Sequence, residues 1–467
     1  MRLPTLRKAL WCAVTSAALV LTALAATSGA AGAAQVASAV GAAGASSAAG
    51  VASSLRPCNI YAAGGTPCVA AYSTVRALYR TYRGPLYQVT RASDGATASI
   101  GTGQDGYADA AAQNSFCAGT VCTITRIDDQ SGHGNDLGVG PIGGNGGPDA
   151  AAIANALPVK AGGHLAYGVS VQAGVGYRND VTNGVATAGL PQGAYMVTSG
   201  THVDSLCCFD FGNAETSGTD TGNGHMDAIN FGTECWFAPC TGAGPWVQAD
   251  LENGLFAGGN GSDPANKGNS AAFVTAIVDN NGTTTYAIKD ANAQSGGVTT
   301  EYSGPLPDIG GYVPMHQEGA VILGTGGDNS NGSDGSFFEG VLTAGYPSAA
   351  TENAVQANVV SAGYQQVAAG FPLTGTTYTY TITNVNSGTV LDSVNCGIFD
   401  GTLTDLWSSL GNLCQEWDVT PVGSHYTISN VANGMVLDAE DCETADGTVV
   451  RQWAQLDNTC QQWDLKS

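Results

Sequence analysis

Apolar residues in this chain recur at every second position, in short runs cut off by Gly, Asn or Asp, and almost nowhere at helical spacing. Period two puts side chains alternately on the two faces of a strand, so the pattern predicts an all-β chain of many short strands. With 66 glycines and only 11% charged residues, the breaks are frequent and the surface is mostly neutral polar. The sharpest run is Trp246-Val247-Gln248-Ala249-Asp250-Leu251-Glu252-Asn253. Val247, Ala249 and Leu251 would enter a core, while Trp246, Gln248, Asp250 and Glu252 would share the other face. Carboxylates at i and i+2 on one strand face lie within about 7 Å of each other. That proximity raises at least one pKa unless another group holds them. An acidic, solvated strand face accounts for the run as well as a sugar site does, although an aromatic ring beside paired acids suits a saccharide.

The N-terminus reads as a leader. Arg2, Arg7 and Lys8 precede an apolar run from Ala9 to Ala26, and Ala31-Gly32-Ala33 offers an A-x-A cleavage site, which predicts a secretory signal over 1–33. The run is short and interrupted by Ser and Thr, which argues against a membrane anchor. Residues 34–56 are nearly all Ala, Ser, Gly and Val and read as a disordered lead-in. Removing Cys12 with the leader leaves 12 of the 13 cysteines, an even number suited to an oxidising compartment. They fall as near neighbours, which predicts the bridges Cys58–Cys68, Cys117–Cys122, Cys235–Cys240, Cys396–Cys414 and Cys442–Cys460, with Cys207 and Cys208 as the remaining pair. A bond between adjacent cysteines closes a small strained ring and is rare, so spacing alone leaves that pair open. No C-x-x-C and no histidine at finger spacing supports zinc.

The formal charge of −23 becomes −26 once the leader's three basic residues go, since it holds no acids. Such a surface repels nucleic acid and anionic membrane and favours a neutral ligand such as a carbohydrate. H-E-x-x-H, P-loop and G-x-S-x-G motifs are all missing from the sequence, and the six scattered histidines read as structural.

Two regions follow. Residues 57–367 have no internal repeat and are long enough for one large β-sandwich. After a linker at 368–376, residues 377–467 repeat with a period of 46 residues. Tyr380-Thr381-Ile382 returns as Tyr426-Thr427-Ile428, and Leu391-Asp392 as Leu437-Asp438. Cys396, Gly401, Trp407, Cys414, Gln415 and Trp417 return as Cys442, Gly447, Trp453, Cys460, Gln461 and Trp463. The unit resembles the ricin-type lectin repeat, whose Q-x-W signature stands here as Gln415-Glu416-Trp417 and Gln461-Gln462-Trp463. That family builds a β-trefoil from three copies. Two are found before Ser467, so a partial trefoil is expected. The resemblance implies one sugar held by Asp392 with Trp407 and another by Asp438 with Trp453, while Trp417 and Trp463 build the core.

The larger region resembles the secreted α-L-arabinofuranosidases of glycoside hydrolase family 54. The resemblance rests on Pro57-Cys58-Asn59-Ile60-Tyr61, Asp129-Gln130-Ser131-Gly132-His133-Gly134-Asn135-Asp136, Cys207-Cys208-Phe209-Asp210, Gly212-Asn213-Ala214-Glu215, the Trp246–Asn253 run and Gly324-Thr325-Gly326-Gly327-Asp328-Asn329-Ser330-Asn331. It implies a β-sandwich that releases terminal α-L-arabinofuranose from arabinoxylan and arabinan with retention, needing neither metal nor organic cofactor. Glu252 matches the nucleophile and Asp328 the general acid/base, the two carboxyl groups that double displacement requires about 5–5.5 Å apart. Glu252 is expected on a rigid strand. Asp328 follows the strand-like run Ala320–Leu323, and without the resemblance its Asp-Asn-Ser-Asn context reads as a plain turn. Asp250 and Asn253 match residues that bond the sugar hydroxyls, and Gly327 lets the backbone approach the ligand. The resemblance also implies that Cys207 and Cys208 bond to each other as an apolar platform, and that Trp236 lines the same subsite despite the unusual flanking pair Cys235 and Cys240. Glu215 and Asp227 are read as structural. Rival readings are another retaining glycosidase on the same scaffold, acting on galactofuranose or xylose, and a non-catalytic glycan-binding protein. The expected partners are arabinose-containing plant polysaccharides, and the sequence assigns no oligomeric state.

Overall fold

The computed structural model describes residues 55–118, 120–367, 377–422 and 425–465. The expected signal at 1–33, nearly all of the lead-in and the linker at 368–376 lie outside the described residues. The fold is all-β with few helices, as the alternating runs require. Among the described residues no helix is long and apolar enough to cross a membrane.

Two antiparallel sheets form the body of the sandwich. The ten-stranded sheet starts at one edge with Leu255–Phe256, then runs through Trp246–Asp250, Asp227–Gly232, Asp210–Ala214 and Ala320–Leu323. It continues through Tyr177–Asn179, Leu137–Val139, Cys122–Ile127 and Pro85–Arg91 to Thr97–Gly101. The six-stranded sheet orders Cys68–Ser73, Glu339–Ala344, Gln192–Thr198, Val274–Asn280, Thr285–Asn292 and Thr299–Pro305. Period-two alternation sends Phe211, Ile229, Phe231, Val247 and Ala249 into the layer between them, where all are buried. The ring of Phe211 meets Tyr72 edge-on at 6.2 Å and Phe337 at 5.2 Å, geometries that add to area burial. Helices are short and capped: Asp109 accepts from the Ala112 N–H ahead of Ala110–Phe116, and Ser348 from the Thr351 N–H ahead of Ala349–Ser361.

Buried charge in this body is paired. Arg76 is gripped by both carboxylate oxygens of Glu339, which also accepts from Tyr195 and Tyr364. Lys289 sits between Asp279 and Glu352, linking the six-stranded sheet to the last helix. A buried ion left without its partner would be strongly destabilising, so these contacts lock the register of the layers.

Residues 377–465 form a seven-stranded sheet from Tyr378–Thr381 to Val390–Ser393 around Trp417, Val419, Tyr426, Ile428 and Leu437. The period of 46 reappears bond for bond. The Trp417 indole donates to the Leu391 carbonyl at 2.9 Å and the Trp463 indole to Leu437 at 3.2 Å. The Gln415 amide bridges Leu410 N–H and Ser408 O, as Gln461 bridges Leu456 N–H and Ala454 O. The Q-x-W glutamine is thus a loop clamp and its tryptophan an anchor. Trp417 is fully buried and Trp463 half-buried.

Among the described residues there are six disulfides: Cys58–Cys68, Cys117–Cys122, Cys207–Cys208, Cys235–Cys240, Cys396–Cys414 and Cys442–Cys460.

Candidate active site

The outer face of the ten-stranded sheet carries the site. Gly212 sits in register between Ala228 and Ile322, and a Cβ there would stand 2.4 Å from the Ala228 Cα. These small side chains, with Ala214 and Ala320, leave a shallow floor. Above it lies a cavity of about 210 Å³ lined by Cys207, Cys208, Trp236, Asp250, Glu252, Asn253, Gly327 and Asp328, together with Asn145, Met226, Gly326 and Ser330. Every residue of the large region that the sequence offered for catalysis or substrate contact is therefore in one place.

The strand beneath differs from the sequence reading in two respects. All five residues of Trp246–Asp250 are buried, so the acidic face is not solvated. Loops cover it: the Trp246 indole donates to Thr241 O, and Gln248 to Glu234 O. Glu252 is not on the strand either. The strand ends at Asp250, and Glu252 and Asn253 take left-handed φ of 66° and 57°. The cause is local: the Asp250 carboxylate accepts the Glu252 N–H at 3.0 Å, and the Leu251 N–H bonds to Gly254 O, closing a tight turn. Rigidity at Glu252 comes from that turn, with Asn253 tied to Asp220 and Asn223. Left-handed backbone costs a non-glycine residue energy and is held only when its surroundings enforce it.

Asp328 arrives on the loop that follows Ala320–Leu323. Its carboxylate accepts from the Ser330 N–H at 2.9 Å, so it does make the ordinary Asx turn, and it also faces the cavity. Gly327 is sterically required, since a Cβ there would stand 1.9 Å from Glu215 Oε2 and 2.7 Å from Met226 Sδ. Arg178 clamps this loop to the next, donating to Gly327 O at 2.9 Å and to Glu215 O at 2.7 Å. The Cys207–Cys208 disulfide forms one wall, with the Ser330 hydroxyl 3.6 Å from Cys208 Sγ. Trp236, on the loop closed by Cys235–Cys240, is 51% exposed and so free to meet a ligand at the rim.

Two carboxyl pairs lie side by side. Burial and then Asp250 push Asp210 well up, and burial pushes Asp250 up to about 6. Asn230 holds Asp210 from the other side at 2.8 Å. Glu215 and Glu252 form the second pair. Burial first, and then the neighbouring acids Glu215 and Asp250, raise Glu252 far above the ordinary glutamate range, and burial raises Glu215. Glu215, expected to be structural, is fully buried, with a carboxyl oxygen within 4.8 Å of one of the candidate nucleophile's. Asp227 accepts from Gln192 Nε2 at 3.1 Å beneath the sheet. Asp210 and Glu215 both lie in the quoted fingerprints, but their approach to Asp250 and Glu252 depends on strand pairing that sequence distance hides.

Among the described residues, two groups lie close enough to ligate a cation, Cys207–Cys208–Asp250 and Glu215–Asp220–Glu252. The first offers disulfide sulfurs, which are not thiolates. The second is made of carboxylates alone, two of them buried and Asp220 exposed.

Comparison with known proteins follows the same lines. Residues 57–365 match the family described as Alpha-L-arabinofuranosidase B, catalytic. The chain belongs to this family. Residues 366–453 and 423–467 match the Ricin-type beta-trefoil lectin domain-like family. Over 318 residues the chain is 56% identical to the probable α-L-arabinofuranosidase B of Aspergillus fumigatus, covering 66% of this chain and 62% of that protein. An α-L-arabinofuranosidase of Hypocrea jecorina is 54% identical over 314 residues, 66% of this chain and 63% of that one. The chain thus spans a little under two thirds of the length of the curated relatives it matches. Among solved structures, an arabinofuranosidase complexed with arabinofuranosyl-α-1,2-xylobiose is 40% identical, with TM-score 0.67 over 87% of both chains. A GH54 α-L-arabinofuranosidase soaked with a cyclic sulfate inhibitor matches equally well, at 40% identity and TM-score 0.67 over 87% of both chains. The arabinofuranosidase B match covers the ten-stranded sheet and every cavity residue.

In the lectin-like region the two expected sugar sites differ. Asp392 and Trp407 lie on paired strands, with Asp405 opposite Asp392 and Trp407 54% exposed. In the second repeat the residue opposite Asp438 is Arg451. Arg451 lies 4.2 Å over the Trp453 ring and reaches Asp438, Glu440 and Asp441.

Proposed function

We propose that this protein is a secreted, retaining α-L-arabinofuranosidase that removes terminal arabinofuranose from the side chains of arabinoxylan and arabinan. The observation that carries the reading is the convergence of Glu252 and Asp328 on one cavity of about 210 Å³, walled by a disulfide and an aromatic ring. A cavity that small suits one sugar ring, hence release from a chain end. In the first step the Glu252 carboxylate bonds to the anomeric carbon as the glycosidic bond breaks, and Asp328 gives its proton to the departing oxygen. In the second, the Asp328 carboxylate takes a proton from water, which displaces Glu252. Asp250 and Asn253 would bond the sugar hydroxyls. No metal or organic cofactor is required by this chemistry. The leader-like N-terminus and six disulfides support export.

The lectin-like region would hold the enzyme on its polysaccharide through Asp392 with Trp407 and Asp438 with Trp453. Since Arg451 already covers the Trp453 ring, the first repeat is the better platform.

A second reading has one specific support. A relative from Trichoderma koningii, 54% identical over 314 residues, is named Arabinofuranosidase/B-xylosidase. A panel of 4-nitrophenyl glycosides tests both. Release from the α-L-arabinofuranoside, with the α-anomer appearing first by proton NMR, supports the proposal. Preference for the β-D-xyloside supports the second reading, and inertness of folded protein toward both overturns the enzyme assignment.

A further inference from the structure

Glu215 has no apparent way to be a stable carboxylate. It is fully buried at the end of the strand Asp210–Ala214, and neither of its oxygens meets a hydrogen-bond donor among the described residues. One of its carboxyl oxygens lies within 4.8 Å of one oxygen each of Glu252 and Asp220. On the other side it is packed against Met226 and the backbone of Gly327, where a Cβ would stand 1.9 Å from Oε2. A buried carboxylate without donors is costly, and two adjacent ones more so. One proton shared along a Glu215–Glu252 hydrogen bond satisfies both groups at once.

We propose that Glu215 is a positioning residue for the nucleophile, holding that shared proton and donating it as a hydrogen bond to Glu252 while Glu252 attacks. This rests on the arabinofuranosidase reading. Attack needs Glu252 ionised, and positive charge growing on the sugar draws the negative charge of the pair to the oxygen facing the cavity. The proton therefore sits on Glu215, which does not face it. When the Glu252–sugar ester forms, Glu215 still donates to the ester carbonyl oxygen, and when water displaces the sugar the carboxylate returns to the same donor. The proton never leaves Glu215 during turnover, so the cycle balances without an outside acid.

Other groups face this pair. Asp250 accepts the Glu252 N–H, Asp220 is held by Asn253, and Glu318 is paired with His225. Tyr312 senses Asp250, Glu252 and Asp220, Asp328 lines the same cavity, and the Arg178 guanidinium is spent on backbone carbonyls and Asp180. Of the acids named around this pair, Glu215 alone is fully buried with neither oxygen meeting a donor among the described residues.

The test uses 4-nitrophenyl α-L-arabinofuranoside, whose leaving group needs little help from Asp328, so kcat/KM isolates the attack. Wild-type kcat/KM should fall on the alkaline side as the shared proton is lost. Glu215→Gln keeps a donor that cannot ionise. It should retain most of the neutral-pH activity, and its alkaline fall should move up by about one pH unit or more. Glu215→Ala removes the donor and should lose about 10–100-fold in kcat with KM little changed. Melting curves establish that each variant is folded. A glutamine variant as impaired as the alanine one, an alkaline limb unmoved by glutamine, or an alanine variant indistinguishable from wild type overturns the proposal. If neither variant folds, a wild-type profile that stays flat through alkaline pH overturns it alone. Absence of any arabinoside release by wild type would instead overturn the reading on which it rests.

Discussion

Asp328 closes a turn and faces the cavity with the same carboxylate. Its bond from the Ser330 N–H fixes the carboxylate, and a glycosidic oxygen seated in the cavity is what it would protonate. A general acid contributes about 10²–10⁴-fold, in proportion to the leaving group's need for a proton. Asp328→Asn should therefore cost that factor on arabinoxylan and far less on an activated aryl arabinoside. Equal losses on the two substrates, measured as kcat/KM, would argue against the acid role. Much at this scale was legible in the sequence, because motifs such as Cys207-Cys208 and Gly327-Asp328 are contiguous. The carboxyl partners were not, since Asp210 meets Asp250, and Glu215 meets Glu252, only after strands pair and turns close.

At the scale of elements, the alternation of Trp246–Asp250 was legible but its consequence was not. Alternation says which residues share a face. It does not say that loops will cover the second face, or that an Asx bond from Asp250 will end the strand before Glu252. The lectin repeats were legible down to the glutamine clamp, because duplicated sequence folds into duplicated hydrogen bonds. One divergence that bears on sugar binding is a cross-strand position, Asp405 in the first repeat and Arg451 in the second. An exposed tryptophan face binds a sugar ring, whereas one stacked under a guanidinium must first shed it. In a Glu252→Gln background, Trp407→Ala should weaken retention on insoluble arabinoxylan about tenfold, equivalent to roughly 1.4 kcal/mol. Trp453→Ala should change it by less than about twofold, within the near-neutral range of most contact residues. The reverse order would mean that Arg451 assists binding.

Across the whole molecule, buried acids tie stability to pH. Burial pushes Asp227 and Glu234 up to about 7, and Asp149 and Asp290 up to about 6. In the unfolded chain such groups lose their protons near pH 4. Between those values the folded state holds more protons, so this stabilisation is complete below about pH 4 and drains away as pH rises to about 7. Glu318 works oppositely: burial would raise it, but His225, Thr221 and Thr216 hold it at about 2, so its contribution is lost only in strong acid. Self-repulsion at a net charge of −23 adds to the alkaline loss. The melting temperature should therefore be highest in mild acid and fall by about 5 °C or more from pH 5 to pH 8. A flat or rising profile over that range would contradict the burial of these acids as protonated groups. The central claim is that Glu252 attacks the sugar carbon, and it has a direct test. Folded enzyme treated with an arabinofuranose-configured cyclic sulfate or other trapping electrophile, then digested and mapped by mass spectrometry, should carry a single adduct on Glu252, and Glu252→Gln should carry none. An adduct on another carboxylate, or a turnover-competent enzyme that is inactivated without labelling Glu252, would contradict the account.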